Sequence, residues 1–287
     1  MRLATLRNNG AEEAWVLTES GFVAVKTLNA GQVNPWPVQM LTLIESGRLD
    51  ELAAYVTDSE IDHSAQAVPI ASAEFAPLYR RPRKIWGIGL NYRDHAADLA
   101  EKSPTAEPAS FMKPDTSIIG HGETILLPKL SEKTTGEAEL ALIFGRKCRD
   151  VPRDQWRSVL AGFTTVIDMT AEDILRRNPR NLTQSKSFDT FFSFGPVLVT
   201  PDEIPDVESL LVQTIINGKV HAENVVRNMT FRPDFLVSYH SQIMTLLPGD
   251  VLSTGTPGAA PLSHGDRVEC RIAGFETLIN PVQDLKR

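Results

Sequence analysis

Two glutamates stand two residues apart in an otherwise apolar run of the sequence. The run "GEAELALIFG" extends from Gly136 to Gly145 and contains Glu137 and Glu139. Residues i and i+2 of a strand point to the same face, so both carboxylates would face one spot. Two unit charges about 4 Å apart repel by about 4 kcal/mol at an effective dielectric near 20. We therefore expect a cation between them.

A third carboxylate follows in the next β-like run. "GFTTVIDMT" carries Asp168 near the end of a predicted strand, where it can reach a shared cavity. Three oxygen ligands with no nearby imidazole or thiolate favour a hard divalent ion, Mg²⁺ or Mn²⁺. The spacing also fits an alternative, a salt-bridged strand with an unrelated aspartate, so further residues must decide.

Two further segments contain residues suited to catalysis. In "GIGLNYRDHAADLAEK", His95 and Asp98 lie three residues apart on one face of a predicted short helix, where the carboxylate can orient the imidazole as a general base. "TQSKSFDTFFSFGP" places Lys186 where a cation could meet an anionic substrate. The alternatives are a hydrogen-bonded surface histidine and a solvated lysine.

The elements that must position these residues are mostly strands. From "KIWGIGL" onwards, short β-like runs alternate with turn signals, and helices are confined to short pieces such as "PDFLVSYHSQIMTL". Asn217-Gly218 predicts a hairpin. This pattern predicts an α+β, β-rich fold and argues against a doubly wound parallel sheet.

The N-terminal segment reads as a small unit of its own. "AWVLTESGFVAV" predicts two short strands, and "VQMLTLIESGRLDELAAYVTD" predicts helix broken at Ser46 and Gly47. "PLYRRPRK", from Pro77 to Lys84, reads as a surface connection. We predict a small N-terminal α/β domain over residues 1–75 and a catalytic domain over 76–287.

Composition excludes several classes of function. The chain of 287 residues is 42% hydrophobic and carries a net charge of −7 without a basic block, which argues against a nucleic-acid partner. No apolar run approaches a length of about 20 residues, which a membrane span requires, and the N-terminus lacks a signal-peptide pattern. We therefore expect a cytoplasmic protein. "GIGLNY" lacks the third glycine of a dinucleotide fingerprint, which argues against NAD. Cys148 and Cys270 are expected to be free thiols.

The order of these motifs resembles the fumarylacetoacetate hydrolase family. The resemblance covers about residues 82 to 283 and rests on the ordered series "GIGLNYRDHAAD", "SFMKPDTSIIG", "EAELALIFGR", "GFTTVIDMTAED", "KSFDTFFSFGPVLVT", "INGK", "LLPGDVLSTGTP" and "PLSHGDRVECRIAGFETLINPV". The first 75 or so residues are similar to a variable N-terminal domain of bacterial members.

The resemblance implies a fold and roles for seven residues. The fold would be a mixed β-sandwich roll with a few short helices. The implied residues are the metal carboxylates Glu137, Glu139 and Asp168, the lid-helix histidine His95 with its partner Asp98, the active-site lysine Lys186, and Thr256 as a contact to the substrate carboxylate. A homodimer is also expected.

The implied activity is cleavage of a carbon–carbon bond by a metal-dependent hydrolase. The substrate would be a 2,4-diketo acid of the acylpyruvate type from sugar-acid or aromatic catabolism, with Mg²⁺ or Mn²⁺ as a Lewis acid. The alternatives are oxaloacetate decarboxylation and hydroxymuconate-type isomerisation at the same metal site. A third alternative is a binding protein that has kept the fold and lost the reaction.

The chain departs from the family pattern at positions that bear on the substrate. Asp98 stands where members often have glutamate. Glu172 and Leu175 replace an arginine and a glutamine that many members carry. A basic contact and an amide contact to the substrate are therefore expected to be missing.

Overall fold

Strands dominate the computed structural model, which describes residues 1–58, 64–92 and 104–287. The strands are β1 (Arg2–Asn8), β2 (Ala11–Thr18), β3 (Gly21–Ala24), β4 (Ile85–Gly89), β5 (Ala109–Lys113), β6 (Ile118–Ile119), β7 (Ile125–Leu127), β8 (Thr134–Phe144), β9 (Leu160–Ala171), β10 (Phe192–Val199), β11 (Leu211–Ile216), β12 (Lys219–Val225), β13 (Val251–Ser253), β14 (Ala259–Pro261), β15 (Arg267–Ile272) and β16 (Leu278–Asp284). The predicted β-rich α+β class is confirmed.

The α-helices of the described residues are short. They are α1 (Val25–Leu28), α2 (Met40–Glu45), α3 (Leu49–Asp58), α4 (Glu172–Arg177), α5 (Leu182–Lys186) and α6 (Pro233–Ile243). None of these helices has the length and apolar character needed to cross a bilayer.

The strands form two sheets. The larger one has eleven strands, with the order β3-β2-β1-β10-β9-β8-β13-β4-β5, and β14 and β6 pair with β8 and β10 beside this path. The smaller sheet has five strands in the order β12-β11-β15-β16-β7. The smaller sheet packs on the larger one, since Cys270 Sγ of β15 lies 3.7 Å from the carbonyl oxygen of Glu139 in β8.

Strands β8 and β9 form the centre of the larger sheet. They pair antiparallel, and every one of their 11 and 12 residues is buried. Their register sets Glu137 opposite Asp168. Cross-strand partners have Cβ atoms about 5 Å apart, so this register brings two carboxylates together.

Alternation along β8 separates two hydrophobic cores. Ala138 and Leu140 belong to the core shared with the smaller sheet. Ala141 and Ile143 belong to the core that also contains Leu43 of helix α2. Glu137 and Glu139 therefore share the face opposite to Ala138 and Leu140, as the sequence predicted, and this face points away from the smaller sheet.

Several local predictions are confirmed. The hairpin at Asn217-Gly218 joins β11 to β12, and both turn residues have positive φ, 51° and 78°, as a two-residue hairpin turn requires. The predicted helix after Met40 breaks between α2 and α3 at Ser46-Gly47, and α6 begins at Pro233.

The N-terminal strands extend the larger sheet. β1 pairs antiparallel with β10, with Leu3 opposite Leu198, and β2 and β3 continue the sheet outwards. Thr5 also donates a hydrogen bond to the carbonyl oxygen of Leu78 at 2.6 Å. The boundary near residue 75 remains a prediction, and the strands before it are hydrogen-bonded to the rest of the chain.

A glycine in β4 makes room for an aromatic ring beside the candidate site. Gly87 pairs with Phe111 of β5, and a Cβ atom at Gly87 would lie 2.3 Å from Cζ of that ring. The ring centroid lies 4.5 Å from Nζ of Lys186. The absence of a side chain at Gly87 thus leaves the space occupied by this ring, which makes a cation–π contact with the ammonium group.

We expect Gly87→Ala to destabilise the protein by about 1–3 kcal/mol, because the added methyl group overpacks the buried Phe111 ring. Gly89→Ala in the same strand is the control, since its nearest neighbour would lie at 4.0 Å. Urea denaturation monitored by circular dichroism measures both. Equal stability of the two variants would contradict this account of Phe111.

Candidate metal centre and active site

The three predicted carboxylates lie together in the structure. Glu137 and Glu139 project from β8 and Asp168 from β9, and one oxygen atom of each lies within 4.8 Å of the others. All three are nearly inaccessible, with exposures of 7%, 1% and 1%. Like charges at this depth require compensation by cations, because water cannot screen them.

Two buried lysines supply part of that compensation. Lys186 Nζ, from the end of α5, lies 2.5 Å from Asp168 Oδ2 and 3.1 Å from Glu137 Oε2. Lys113 Nζ, from β5, lies 2.5 Å from Asp168 Oδ1 and 3.1 Å from the carbonyl oxygen of Met169. The sequence identified Lys186 but missed Lys113, although its position two residues after Phe111 in a strand places both side chains on one face.

Hydroxyl and amide groups hold the two glutamates. Thr170 donates to Glu137 Oε1 at 2.5 Å. Glu139 Oε2 accepts from the Ser253 hydroxyl at 2.5 Å and from the Gly255 backbone N–H at 2.9 Å. The last residue of β13 and the loop that follows it therefore fix one oxygen of Glu139.

Burial and charge shift the pKa values of these groups in different directions. Burial, with the nearby charge of Asp168, raises the pKa of Glu139 to about 8. Burial opposes ionisation of Asp168 too, but the Lys113 and Lys186 ammonium groups hold its pKa below the usual value. Burial lowers the pKa of Lys113 to about 8, whereas for Lys186 the carboxylates outweigh burial and raise the pKa.

The donor set fits a divalent cation. Three carboxylates against two ammonium groups leave a formal excess of one negative charge. An ionised carboxylate has about four lone-pair sites, so Asp168 can bind a lysine and a metal ion together. Burial and the charge of Asp168 raise the pKa of Glu139, and a cation bound beside this carboxylate would oppose both effects. Oxygen ligands alone suit Mg²⁺ or Mn²⁺.

A cavity of about 520 Å³ opens beside the carboxylates. Its lining residues include Ile88, Gly89, Leu90, Ala109, Phe111, Thr135, Glu137, Thr170, Glu172, Leu175, Arg176, Pro179, Leu182, Lys186, Thr256 and Ala259. Polar groups of the candidate site stand at one part of this wall, and the remainder is mostly apolar. Such a cavity suits a small organic acid.

Of the remaining predicted site residues, the structure describes Thr256 but not His95 or Asp98. Thr256 lines the cavity, and its hydroxyl donates to the carbonyl oxygen of Gly258 at 3.1 Å. His95 and Asp98 lie outside the described residues, so the predicted base and its partner remain predictions. Arg176 lines the cavity although the sequence predicted no basic contact in this segment. The sequence did contain a signal for this arrangement, because Arg176 follows Glu172 by four residues and side chains at that spacing meet on a helix.

The chain is similar to known proteins over most of its length. Residues 84–283 match the family model described as fumarylacetoacetate (FAA) hydrolase C-terminal. A mitochondrial oxaloacetate tautomerase of Rattus norvegicus is 32% identical over 291 residues, which cover 98% of this chain and 91% of that protein.

Two solved structures show the same architecture. Maleylpyruvate hydrolase from Sphingobium sp. SYK-6 is 26% identical with a TM-score of 0.78, covering 99% of this chain and 100% of that one. The 5-carboxymethyl-2-hydroxymuconate delta-isomerase from Mycobacterium smegmatis is 27% identical with a TM-score of 0.74, covering 99% of both chains. Similar folds therefore carry different reactions.

We expect Glu139→Gln to weaken the binding of Mn²⁺ and Mg²⁺ by more than about 100-fold. Loss of a residue that only supports a metal ligand typically weakens binding by about 10- to 100-fold, and loss of a ligand itself should cost more. Glu269→Gln is the control, because Glu269 is also buried but pairs with Arg267 and Arg271. Isothermal titration calorimetry measures the affinities. Similar losses in both variants would exclude a specific role for Glu139.

The affinity for the metal is expected to depend on pH. Since the pKa of Glu139 is raised to about 8, this carboxyl keeps its proton in the metal-free protein at lower pH, and the metal must displace it. Affinity for Mn²⁺ should therefore rise from pH 6 to 8, by up to about tenfold per unit, and level off above. An affinity that stays constant over this range would count against the protonated state of Glu139.

Proposed function

The chain belongs to the fumarylacetoacetate hydrolase family, and from this premise we propose that it is a divalent-metal-dependent hydrolase of 2,4-diketo acids of the acylpyruvate type. The observation that carries the proposal is the buried cluster of three carboxylates and two lysines beside a cavity of about 520 Å³. A purely structural cluster would have no need of a cavity next to it.

Different residues of the site would bind the metal ion and the substrate. Glu137, Glu139 and Asp168 would hold Mg²⁺ or Mn²⁺, which supplies Lewis-acid chemistry when bound. The Lys186 ammonium group would face the 2-keto oxygen and stabilise negative charge that develops there. The Thr256 hydroxyl would bind the substrate carboxylate.

Hydrolysis also needs a base for water. We assign this role to His95, with Asp98 orienting the imidazole. His95 would take a proton from water as the oxygen attacks the second carbonyl carbon. The bond between that carbon and the neighbouring carbon then breaks, its electron pair forms an enolate beside Lys186, and the returned proton completes release of an acid and a 2-keto acid.

A second candidate function uses the same site without attacking water. The similarity to an oxaloacetate tautomerase over 98% of this chain favours enolisation of oxaloacetate or a related acid, and decarboxylation or isomerisation needs the same charge stabilisation. The candidates therefore differ in how much they depend on a water-activating base. A non-catalytic binding protein is less well supported, because all three carboxylates are retained.

We expect His95→Ala to lower kcat for acylpyruvate hydrolysis by about 10²- to 10⁴-fold while KM and metal affinity change little, because a base acts mainly in the transition state. Asp98→Asn should give a smaller loss. His264→Ala is the control, since His264 is exposed in a turn and accepts a hydrogen bond from the Asp284 backbone N–H at 3.2 Å.

The same variants separate the two functions. Steady-state assays on acetylpyruvate and on oxaloacetate, with Mn²⁺ and with EDTA, give the rates, and product analysis identifies the reaction. If the wild type turns over oxaloacetate alone and His95→Ala keeps that activity, the second function is correct. Wild-type hydrolysis by His95→Ala would refute the role of His95.

The proposal includes a cytoplasmic homodimer. Two of the terminal strands, β5 and β12, leave Met112 and Val220 44% and 49% exposed. Terminal strands carry unpaired backbone groups, and association can cover them.

A further inference from the structure

The cavity wall carries one cation that the proposed chemistry does not use. Among the described residues that line the cavity, the basic ones are Lys186 and Arg176. Lys186 is engaged with two of the carboxylates of the metal centre. Arg176, on helix α4, makes no contact with that centre in the described part of the chain.

A buried glutamate holds Arg176 in place. Nε and Nη2 of Arg176 each lie 2.7 Å from Glu172 Oε1. Glu172 is 6% exposed, and its other oxygen lies 2.7 Å from Nζ of Lys133. One carboxylate thus pairs with two cations, which leaves a formal excess of one positive charge at this part of the wall.

The guanidinium group has capacity for a further anion. Its side chain is 60% exposed, and Glu172 is its only acceptor within the described residues. A guanidinium group has five N–H donors, and the contacts with Glu172 use Nε and Nη2. The remaining donors suit the planar geometry of a second carboxylate.

Apart from the hydroxyl groups of Thr135 and Thr170, the rest of the described lining offers few polar side chains to a second carboxylate. Most of it is apolar and includes Ile88, Phe111, Leu175, Pro179 and Leu182. A carboxylate placed against such side chains would lose its hydration without gaining a partner. The carbon chain of the substrate fits these walls, and a charged end fits Arg176.

We propose that Arg176 binds a second carboxylate of the substrate and so selects dicarboxylic over monocarboxylic 2-keto acids. The inference rests on the proposed function, because the metal centre must hold the 2-keto acid end. For hydrolysis it narrows the substrate class, and for enolisation it assigns a partner to the second carboxylate that oxaloacetate carries.

A matched pair of ligands tests the proposal by binding. 2-Ketoglutarate and 2-ketopentanoate have the same chain length, but 2-ketoglutarate ends in a carboxylate and 2-ketopentanoate ends in a methyl group. Isothermal titration calorimetry with the Mn²⁺-loaded protein should give a preference of about tenfold for the dicarboxylate. Arg176→Gln should abolish the preference and leave 2-ketopentanoate binding unchanged.

Two further variants sharpen the test. Arg177→Gln is the control, since Arg177 is the next residue of α4, is 66% exposed and lies 3.9 Å from Asp173, away from the cavity lining. It should keep the preference. Arg176→Lys should keep part of it, because the charge remains while the planar donor pair is lost.

The outcomes distinguish this proposal from the proposed function. Equal binding of both ligands by the wild type leaves the proposed function standing and overturns the role of Arg176. A preference that survives Arg176→Gln, or that Arg177→Gln also abolishes, overturns it too. If neither ligand binds although Mn²⁺ does, both the 2-keto acid function and the role of Arg176 fail.

Discussion

The confinement of three carboxylates in a space that excludes water is the constraint on which this structure depends. Repulsion between such charges is worth several kcal/mol at a protein's effective dielectric. Asp168 is stabilised by Lys113 and Lys186, each at 2.5 Å, whereas one oxygen of Glu139 accepts only from neutral groups, the Ser253 hydroxyl and the Gly255 backbone N–H. This imbalance explains why the pKa of Glu139 rises and that of Asp168 falls.

The fold meets this constraint with elements that are distant in sequence. β8 and β9 carry the carboxylates, β5 brings one lysine, and α5 brings the other. The smaller sheet covers the opposite face of β8, which lets that strand alternate between an apolar core and a charged site. β1 extends the same sheet from β10, so the N-terminal strands add to the scaffold of the site.

Charge is distributed along the cavity in two separate groups. With all three carboxylates ionised, the metal centre has a formal excess of negative charge, whereas the group formed by Glu172, Lys133 and Arg176 has a formal excess of positive charge. Apolar side chains line much of the same cavity. This separation suits a ligand that chelates at one end and is anionic at the other, because each group then binds a partner of opposite sign.

The sequence determined the local features of this protein. Strand periodicity placed Glu137 and Glu139 on one face, and Asn217-Gly218 specified its hairpin, because both depend on neighbouring residues alone. The sequence pattern also offered Asp168 as a third carboxylate and Lys186 as a cation for an anionic substrate, and the family resemblance assigned them as a metal ligand and the active-site lysine. The positions of Lys113 and Arg176 were decided by tertiary structure, since strand pairing and helix docking bring β5 and α4 to the site from elsewhere in the chain. The loss of a basic residue at Glu172 suggested that the substrate has no cationic contact there. That absence at position 172 stays a prediction, and tertiary packing adds what the sequence did not give, because Glu172 holds Arg176 at the cavity from the next turn of the helix.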